Sequence, residues 1–499
     1  MNAMSSWLDG HWLTGLIAWP LVAALLLWGW PNRHQVRPLA VVATLLELLG
    51  SLIVVATVQP HQGGFQLMER SDWIPSLNIH YHLGIDGLSA PFLPATALLF
   101  TAVVVGSWRL VPASYQLYFA LLLVLEGLMI GIFTALDTIL FFIFWELTII
   151  PIYFLISLYG IGPQRRFAAI QYTLFMLAGG VALLAGLVLL ALHHPGGVSF
   201  DLPQLLVQSL TQPHPVAIQI PIFLLLLVGF AVKVPLFPLH SWLPLVVMAG
   251  PFALSATLVG LKLGVYGLIR FALPLAPQAA QQLHWLLAGL GVIGVIYGAL
   301  LAMVQSNLRQ LLAFSSMSHV GLVVLSLASF SMAGLQGALL QLLNFTLIGS
   351  ILFLIAGFIH YRLGSTDWIH LGGLARVMPI TSSFALLFGM ASMALPMTAG
   401  FPAEQLMLAA IFQSHIGPGL AALGGQILAA TYFIQYYRRA FLGPLNSSIA
   451  TDTPDLYRHE QLIVMLFFML VLGIGIVPSV VVDWTRPSAQ AWLLGMIGH

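Results

Sequence analysis

Cysteine is absent from this 499-residue sequence, and charged residues are scarce. Without cysteine the chain can form no disulfide, no Cys-ligated zinc site and no cysteine-held iron–sulfur cluster. Asp, Glu, Lys and Arg make up only 6% of the residues, whereas a soluble globular domain carries about 25%. So few charges cannot cover a water-facing surface. Because the chain has no cysteine to hold an iron–sulfur cluster, any electron-transfer chemistry is expected in other chains.

An excess of basic charge is also missing, because the formal net charge is only +1. Nucleic-acid binding is not expected, since neutralising phosphates requires a basic face. Hydrophobic residues, in contrast, make up 60% of the chain. A membrane span needs about 20 mostly apolar residues, and the sequence contains fourteen such stretches. The predicted fold is therefore an all-α polytopic membrane protein with about fourteen transmembrane helices.

The predicted spans leave no room for a soluble domain between them. The longest loops are residues 59–83 and 193–219, and the second, which ends near Pro213 and Pro215, is predicted to form an ordered extramembrane cover. The stretches are residues 12–30, 37–58, 84–108, 115–135, 137–159, 167–192, 220–243, 250–273, 285–305, 311–331, 333–361, 379–413, 417–442 and 460–482.

The arginines indicate the orientation of these spans. If the N-terminus is outside, the cytoplasmic loops hold eleven arginines and the opposite side holds three, Arg70, Arg270 and Arg486. This asymmetry is the one that the positive-inside rule requires. The prediction is a multi-pass protein of the bacterial inner membrane, or an equivalent energy-transducing membrane, with both termini on the outer side.

The only two lysines of the chain, Lys233 and Lys262, lie inside apolar runs. An ionisable group at the bilayer centre costs at least about 2.5–3.5 kcal/mol, so such groups are usually paired, neutralised or functional. The alternative is that each lysine extends to the interface or caps a helix. Four acidic residues share this apolar setting: Glu47, Glu126, Glu146 and Glu404.

Glu146 ends the apolar run Phe-Phe-Ile-Phe-Trp-Glu, where nothing local could neutralise it. Lys233 is the natural partner, and we expect the two to touch directly or through one water near the bilayer midplane. Pairing favours the charged forms and burial favours the neutral forms, so such a pair can exchange a proton when a third charge approaches. Glu47 could instead be a satisfied helix–helix contact, and Glu126 is intermediate between these two readings.

Two spans carry prolines beside an ionisable residue. Span seven contains Pro235 and Pro238 between Lys233 and His240, and span twelve contains Pro396 and Pro402 before Glu404. Proline interrupts the helical hydrogen bonds, and non-helical backbone at membrane depth must face protein or water. Broken helices at corresponding positions of two halves point to an ion site.

The two broken spans are five apart, which predicts an inverted repeat of two five-span units. The predicted division is a three-helix segment at 1–111, a first repeat at 112–273, a second repeat at 274–443 and a final helix within 444–499.

His319 lies in Ser-Ser-Met-Ser-His of the tenth span. Histidine changes charge near physiological pH, which suits a proton relay. The alternative is a neutral core histidine bonded to a serine or a carbonyl. The other histidines show no metal-ligand spacing, and neither a phosphate loop nor a dinucleotide fingerprint stands out. We therefore expect no metal and no cofactor in this chain.

These motifs closely resemble the antiporter-like subunits of respiratory complex I, specifically the M type, the counterpart of mitochondrial subunit four. The resemblance runs from about Gly84 to Pro444. Its motifs are Gly-Ile-Asp-Gly-Leu-Ser from Gly84, the fifth span with Glu146, Ala-Val-Lys-Val-Pro with Lys233, Pro-Leu-His-Ser-Trp-Leu-Pro with His240, Lys-Leu-Gly-Val-Tyr-Gly from Lys262, Ser-Met-Ser-His with His319, and Gly-Phe-Pro-Ala-Glu with Glu404. The M-type assignment depends on Glu404, where the related L- and N-type subunits place lysine, and on the missing long C-terminal lateral helix.

Three departures separate the chain from the family pattern. After Trp242-Leu243-Pro244 the family usually continues Asp-Ala-His, whereas this chain has Leu-Val-Val. The histidine of the eleventh span aligns with Phe345, and a lysine of the sixth span aligns with Gln171. Each departure removes a polar group from the central axis or its entrance.

The resemblance implies a proton-conducting subunit of a redox-driven pump similar to NADH:quinone oxidoreductase, with another donor also open. The subunit would hold no redox centre and bind no cofactor. Protons would pass along an axis parallel to the membrane plane, and the partners would be other membrane subunits, including related antiporter-like ones, and lipid. The residues that the matching motifs imply are Glu146, Lys233, His240, Lys262, His319 and Glu404, and the buried Glu126 is a further candidate for the site.

Other functions fit the same superfamily. The chain could belong to a multisubunit cation/proton antiporter, a membrane-bound hydrogenase or an inorganic-carbon uptake complex. The three departures also leave room for an inactive scaffold that holds neighbouring subunits together.

Overall fold

The computed structural model describes residues 10–109, 115–447 and 449–497, and these are mostly α-helical. Within them, eleven helices are long and apolar enough to cross a membrane, and three shorter apolar helices accompany them. Each predicted stretch overlaps at least one of these helices. The prediction of an all-α polytopic membrane protein is confirmed, apart from one β-hairpin.

The first half contains, in chain order, α1 (Trp12–Trp28), α2 (Arg33–Thr57), β1 (Gln66–Ile74), β2 (Ile79–Ile85), α3 (Phe92–Gly106), α4 (Tyr115–Thr134), α5 (Thr138–Leu147), α6 (Ile149–Tyr159), α7 (Arg165–Leu192), α8 (Leu202–Thr211), α9 (Val216–Lys233), α10 (Trp242–Ala249) and α11 (Phe252–Gly260). The second half contains α12 (Leu263–Gly267), α13 (Leu273–Leu275), α14 (Pro277–Gln282), α15 (His284–Met303), α16 (Leu308–Leu327), α17 (Met332–Asn344), α18 (Ser350–Leu363), α19 (Leu374–Val377), α20 (Pro379–Ser392), α21 (Gly400–Ser414), α22 (Ile416–Ala440), α23 (Arg458–Ile476) and α24 (Ser479–Ile497).

Several helices begin where a short polar side chain precedes an apolar run. Side chains of Asn32, Asp137, Asn307 and Ser331 accept hydrogen bonds from backbone N–H groups in the first turns of α2, α5, α16 and α17. These N–H groups have no partner within the helix, so the caps stabilise the helix starts. The helix boundaries are therefore encoded locally.

A β-hairpin replaces the plain loop predicted at residues 59–83. Strands β1 and β2 pair antiparallel, for example Arg70 with His82. Asp137, at the start of α5, forms an isolated bridge with Asp201 before α8. The hairpin continues to Ile85, and α3 begins only at Phe92, so span three as predicted starts too early. Hydropathy alone missed the hairpin because its strands mix charged and apolar residues.

Both predicted helix breaks are present, and a third joins them. The helix is interrupted between α9 and α10, after Lys233, and between α20 and α21, before Gly400. Ala394 and Met397 adopt φ of 56° and 71° in the second break. The third break lies at Lys262, between α11 and α12, where no proline gives a sequence signal. Two π-helical turns lie near this third break: Leu268–Ala272 directly follows α12, and Phe345–Gly349 packs against α11. Such turns are frequent at functional sites.

The C-terminal part differs from the prediction of one final helix. Helix α24 follows α23, packs against α13, α14 and α17, and donates a hydrogen bond from Trp492 Nε1 to the Ile269 carbonyl at 2.7 Å. Asp483, Arg486 and Pro487 lower the hydropathy of α24, which is why it escaped a search for apolar runs.

Three parts of the topology stay predictions. These are the total of fourteen crossings, the inverted repeats and the four-segment division. The boundary between residues 111 and 112 and both chain termini lie outside the described residues, and the side of the membrane on which the termini lie also stays a prediction.

Candidate functional site

The break at Lys262 directs its ammonium into the interior of the second half. Lys262 Nζ donates a hydrogen bond of 2.5 Å to Ser316 Oγ on α16. The Phe345 ring centroid lies 5.1 Å from the same nitrogen, within range of a cation–π contact. Phe345 therefore faces the ammonium and does not separate Lys262 from Ser316.

His319, one turn after Ser316 on α16, is buried between polar atoms of two helices. Its Nδ1 lies 2.8 Å from the Ser315 carbonyl oxygen, and its Nε2 lies 3.0 Å from the Ser392 carbonyl oxygen at the end of α20. A neutral imidazole has one N–H and can donate to only one of these acceptors, whereas imidazolium donates to both. Both ring nitrogens of His319 therefore face a hydrogen-bond acceptor.

Glu404 is buried in the second turn of α21, immediately after the break. Its Oε1 lies 3.8 Å from His319 Nε2, and the Gln426 side chain hydrogen-bonds to its carboxyl group. The break itself is held by Asn344 Nδ2, which donates to the Ala399 carbonyl at 2.9 Å. The broken backbone thus places a carboxyl group beside an imidazole in the protein interior.

One cavity of about 40 Å³ is lined by Ser316, His319 and Glu404. On this measure a water needs about 10–15 Å³, so the cavity has room for a few waters. Tyr432 OH donates to Ser315 Oγ at 2.7 Å on its wall. The polar or aromatic lining includes Ser315, Ser316, His319, Gln341, Asn344, Phe345, Glu404 and Tyr432.

Lys233 lies at the end of α9, and the interruption that follows α9 lies next to the interruption at Lys262. A Cβ atom on Gly264 would lie 2.5 Å from Val234 Cγ2 and 2.8 Å from Val234 N. Such distances are too short for any side chain, so glycine at position 264 allows the two broken backbones to approach. The two lysines are thereby held on facing segments.

The direct Lys233–Glu146 ion pair predicted from the sequence is wrong for the described residues. Lys233 Nζ instead donates to the Trp145 carbonyl at 3.2 Å and to Thr148 Oγ1 at 3.0 Å. It also lies 3.8 Å from the centroid of the Trp145 ring. Helix α5 ends at Leu147 and α6 begins at Ile149. This helix step at Thr148 presents the Trp145 carbonyl and the Thr148 hydroxyl to the ammonium. Charge interaction between Lys233 and Glu146 persists, and a water-mediated contact stays a prediction.

Glu146 is half-buried and points toward α7. A Cβ atom at Gly180 would collide with its carboxylate, so glycine at position 180 makes room for this side chain. Its neighbours Leu147 and Ile150 are exposed. Glu146 therefore lies near the edge of the chain, beside the surface that faces lipid or another subunit.

Two predicted site residues do not share these contacts. His240 packs between the rings of Phe237 and Tyr297, with centroids 5.9 and 5.4 Å away. Glu126, on α4, interacts electrostatically with Glu47 of α2. The prediction that Glu126 lies in apolar surroundings is confirmed, but the sequence could not show which helices face Glu126 and His240.

The structure adds residues that the sequence analysis did not single out. Ser316 and Tyr432 contact the candidate site, Thr148 holds Lys233, and Gln426 binds Glu404. Only Ser316 had a sequence signal, as part of the quoted Ser-Met-Ser-His motif. Hydroxyl and amide groups are common in helices, so their spacing alone does not mark them.

Arg270, assigned to an outer loop from the sequence, is buried and paired. Its Nη1 donates to Asp86 Oδ2 at 2.9 Å, and Nη2 contacts Asp86 Oδ1. Arg270 therefore contributes to the fold rather than to the charge of an outer loop. Among the residues that the structure describes, no group of three or more His, Asp or Glu is arranged to hold a metal ion.

Comparisons with known proteins show the family to which this chain belongs. A family model described as NADH:quinone oxidoreductase/Mrp antiporter, TM, matches residues 135–428. The NAD(P)H-quinone oxidoreductase chain 4 1 of Synechococcus sp. (strain JA-3-3Ab) is 34% identical over 487 residues, which cover 95% of this chain and 91% of that protein. The NADH-quinone oxidoreductase subunit M of Rickettsia typhi is 31% identical and covers 92% of each chain.

A solved structure extends the agreement to the fold. A chain of respiratory complex I from Thermus thermophilus with bound NADH superposes with a TM-score of 0.89 at 30% identity, over 97% of this chain and 99% of that chain. With the matching family model and relatives that span nearly their whole length, the chain belongs to the NADH:quinone oxidoreductase/Mrp antiporter family, as an antiporter-like membrane subunit of the M, or chain 4, type.

Proposed function

We propose that this chain conducts protons across the membrane within a multisubunit complex in which other subunits oxidise NADH or another donor and reduce quinone. The observation that carries the proposal is the buried chain of contacts at the broken helices. Lys262 binds Ser316, and His319 lies 3.8 Å from Glu404, around one cavity. Ionisable groups inside a membrane protein mark ion and proton pathways.

His319 would relay the proton between Lys262 and Glu404. Its two ring nitrogens face carbonyl oxygens of Ser315 and Ser392, so a proton gained on one nitrogen meets an acceptor already in place. Glu404 stabilises the imidazolium by charge and then receives the proton. The half-channel from Glu404 to the outer side is part of this proposal.

The energies involved are of the right size. Moving one charge against 100 mV costs about 2.3 kcal/mol. An ion pair at about 4 Å is worth about 4 kcal/mol at an effective dielectric of 20, and His319 and Glu404 are separated by 3.8 Å. Forming or breaking one such pair can therefore drive one proton step.

Lys233 and Glu146 would receive the signal from a neighbouring subunit. Glu146 lies near the edge of the chain, and its charge acts on Lys233. Among the described residues, the contacts that hold the Lys233 ammonium are the Trp145 carbonyl, the Thr148 hydroxyl and the Trp145 ring. It can turn toward Glu146 or toward the break at Lys262 without breaking an ion pair.

The relatives support this assignment through their names, which are NADH-quinone oxidoreductase subunit M and NAD(P)H-quinone oxidoreductase chain 4. The subunit's role in the enzyme would be translocation, with the redox centres in partner chains. The family description also names the Mrp antiporter. Cation/proton exchange is therefore the second candidate.

The test is Lys262→Met in the complete complex, reconstituted in vesicles. Proton uptake and electron transfer are measured together, because a relay defect lowers their ratio while a redox defect lowers both. We expect a lower ratio in Lys262→Met and an unchanged ratio in Ser318→Ala, because the Ser318 hydroxyl on α16 donates to the Val295 carbonyl of α15. An unchanged ratio in Lys262→Met would refute the proposal. Proton movement driven by a sodium gradient without an electron donor would instead support exchange.

A further inference from the structure

Glu47 and Glu126 are two buried carboxyl groups that the path from Lys262 to Glu404 does not use. Their exposed fractions are 1% and 0%. In the part of the chain that the structure describes, neither oxygen of either carboxyl has a hydrogen-bond partner. Burying an ionised carboxylate without a partner costs much free energy. The question is therefore in which protonation state these two groups are buried.

The helix geometry places the two carboxyls at the same height. Helices α2 and α4 pack against each other, and Arg37 of α2 lies 4.5 Å above the Tyr115 ring of α4. Glu47 is ten residues beyond Arg37, and Glu126 is eleven beyond Tyr115. At a rise of 1.5 Å per residue both lie roughly 15 Å further along, near the middle of a hydrocarbon layer of about 30 Å. The charge of Glu47 acts on Glu126.

The helices around the pair supply no compensating charge. Helices α1 and α3, which pack on α2 and α4, contain no Asp, Glu, Lys, Arg or His. Hydroxyls near Glu47 on α2 are already used, since Thr44 Oγ1 donates to the Val41 carbonyl and Ser51 Oγ to the Leu48 carbonyl.

Other titratable groups lie farther along these helices or on the next ones. On α2 they are Arg33, His34 and Arg37, on α4 Tyr115 and Tyr118, and on α5 and α6, which pack against α4, Glu146, Tyr153 and Tyr159. Tyr118 OH lies 3.2 Å from Ser107 Oγ, away from the carboxyls. The pair therefore has no cationic partner at its own height among the described residues.

We propose that Glu47 and Glu126 form a second proton-binding site, which holds at least one proton at neutral pH. Two carboxylates close together in a dry interior cannot both ionise, because burial and mutual repulsion act in the same direction. A proton is the one ligand that removes the charge without requiring further oxygen ligands. The site lies apart from the path from Lys262 to Glu404 and does not depend on the function proposed for that path.

Infrared spectroscopy of the purified complex at equilibrium tests the proposal, because a protonated carboxyl has its own carbonyl-stretch band. The band is recorded as a function of pH for the native complex, Glu47→Gln, Glu126→Gln and the double variant. We expect each single variant to lose part of the band at neutral pH and the double variant to lose both parts. Removing one carboxyl should also lower the pH midpoint of the other by about one unit or more, since the repulsion disappears.

Glu69→Gln is the matched control. Glu69 is also buried, but its carboxylate accepts hydrogen bonds from the N–H groups of Leu13 and Thr14, so we expect no loss of the protonated band. Glu47→Asp and Glu126→Asp retain the acid group and serve if the Gln variants do not assemble; both should shift the pH midpoint.

A neutral-pH band unaffected by every Glu47 and Glu126 variant would overturn the proton site. Independent titration of the two groups would overturn the pair. Because no turnover is involved, either result is separate from the outcome of the pumping experiment.

Discussion

Lys262 Nζ and Ser316 Oγ are 2.5 Å apart, and this hydrogen bond joins the break after α11 to α16. Without it, the ammonium would face the Phe345 ring at 5.1 Å and have no polar contact to the His319 side. A serine hydroxyl both accepts and donates hydrogen bonds, so Ser316 can pass a proton onward from the lysine.

Ser316→Ala should therefore slow proton transfer without affecting assembly. A hydrogen bond to a charged group is worth about 1.5–3 kcal/mol, and about 1.4 kcal/mol corresponds to a tenfold change in rate. We expect proton uptake by reconstituted vesicles to fall roughly tenfold or more. Ser316→Thr retains the hydroxyl and should retain most of the activity. Equal loss in both variants would indicate a packing effect.

Glu146→Gln should abolish or strongly reduce coupled proton translocation while the complex still assembles. The amide has nearly the shape of the carboxyl, but it lacks the charge that acts on Lys233. Proton uptake per electron in vesicles is the measurement. Full pumping by this variant would remove Glu146 from the mechanism.

Thr148→Val tests the hydrogen bond that Lys233 makes to Thr148 where a direct ion pair with Glu146 was expected. Thr148 Oγ1 accepts the hydrogen bond from Lys233, so its loss should lower pumping less than Glu146→Gln does. Thr173→Val is the matched control, since the Thr173 hydroxyl donates to the Ala169 carbonyl within its own helix, α7. Native pumping in Thr148→Val would show that this contact is dispensable.

Glu404→Ala should lower proton translocation more than electron transfer, because it removes the carboxyl that lies 3.8 Å from His319 Nε2. Glu404→Lys should be tolerated better than Glu404→Ala, since an ammonium can also exchange a proton. The proton-to-electron ratio, measured in reconstituted vesicles, compares Glu404→Ala with Glu404→Lys. Thr398→Val, in the same break but bonded only to the Leu395 carbonyl, should retain the native ratio. If Glu404→Ala also retains it, Glu404 only stabilises the broken helix.

Arg270→Met should destabilise the subunit strongly. Arg270 and Asp86 form a buried pair, and removing one partner of a buried pair costs about 3–5 kcal/mol. The exposed pair Arg486–Asp483, with side chains 53% and 58% exposed, is the control, and Arg486→Met should cost at most about 1 kcal/mol. The apparent melting temperature of the purified complex compares the two variants. Equal melting temperatures would show that the buried pair is not needed for stability.

Acid should loosen the β-hairpin of β1 and β2. Burial opposes ionisation of Asp201, but His82, Gln204 and Arg70 outweigh it, so the pKa of Asp201 is lowered. A lowered pKa in the folded state means that the stabilisation is complete above the ordinary carboxyl pKa of about 3.9 and is lost as the pH falls through the lower folded value. Hydrogen exchange of residues 66–85 should therefore be slow at pH 7 and rise below about pH 4.

Asp201→Asn should raise this exchange already at neutral pH. Asp72→Asn is its control, because the Asp72 side chain is 76% exposed. If both variants exchange like the native chain, His82 and Arg70 do not anchor the hairpin through Asp201.

The sequence by itself determined the membrane class and most of the helices. Apolar runs of about 20 residues are typical of membrane spans, and caps such as Asn32 and Asp137 are local signals, so both could be predicted along the chain. The motifs around Lys233, Lys262, His319 and Glu404 also predicted the family, which the comparisons confirmed. Proline marked two of the three breaks.

Only the tertiary structure decided which buried charges meet. Hydropathy assigned Arg270 to an outer loop, yet its guanidinium reaches Asp86 at a sequence separation of 184 residues. It paired Lys233 with Glu146, whereas the helix step at Thr148 offers the ammonium a carbonyl, a hydroxyl and an aromatic ring. A one-dimensional pattern shows that a charge in lipid needs a partner. The rotation and packing of distant helices choose that partner, and they depend on close approaches such as the one that Gly264 allows.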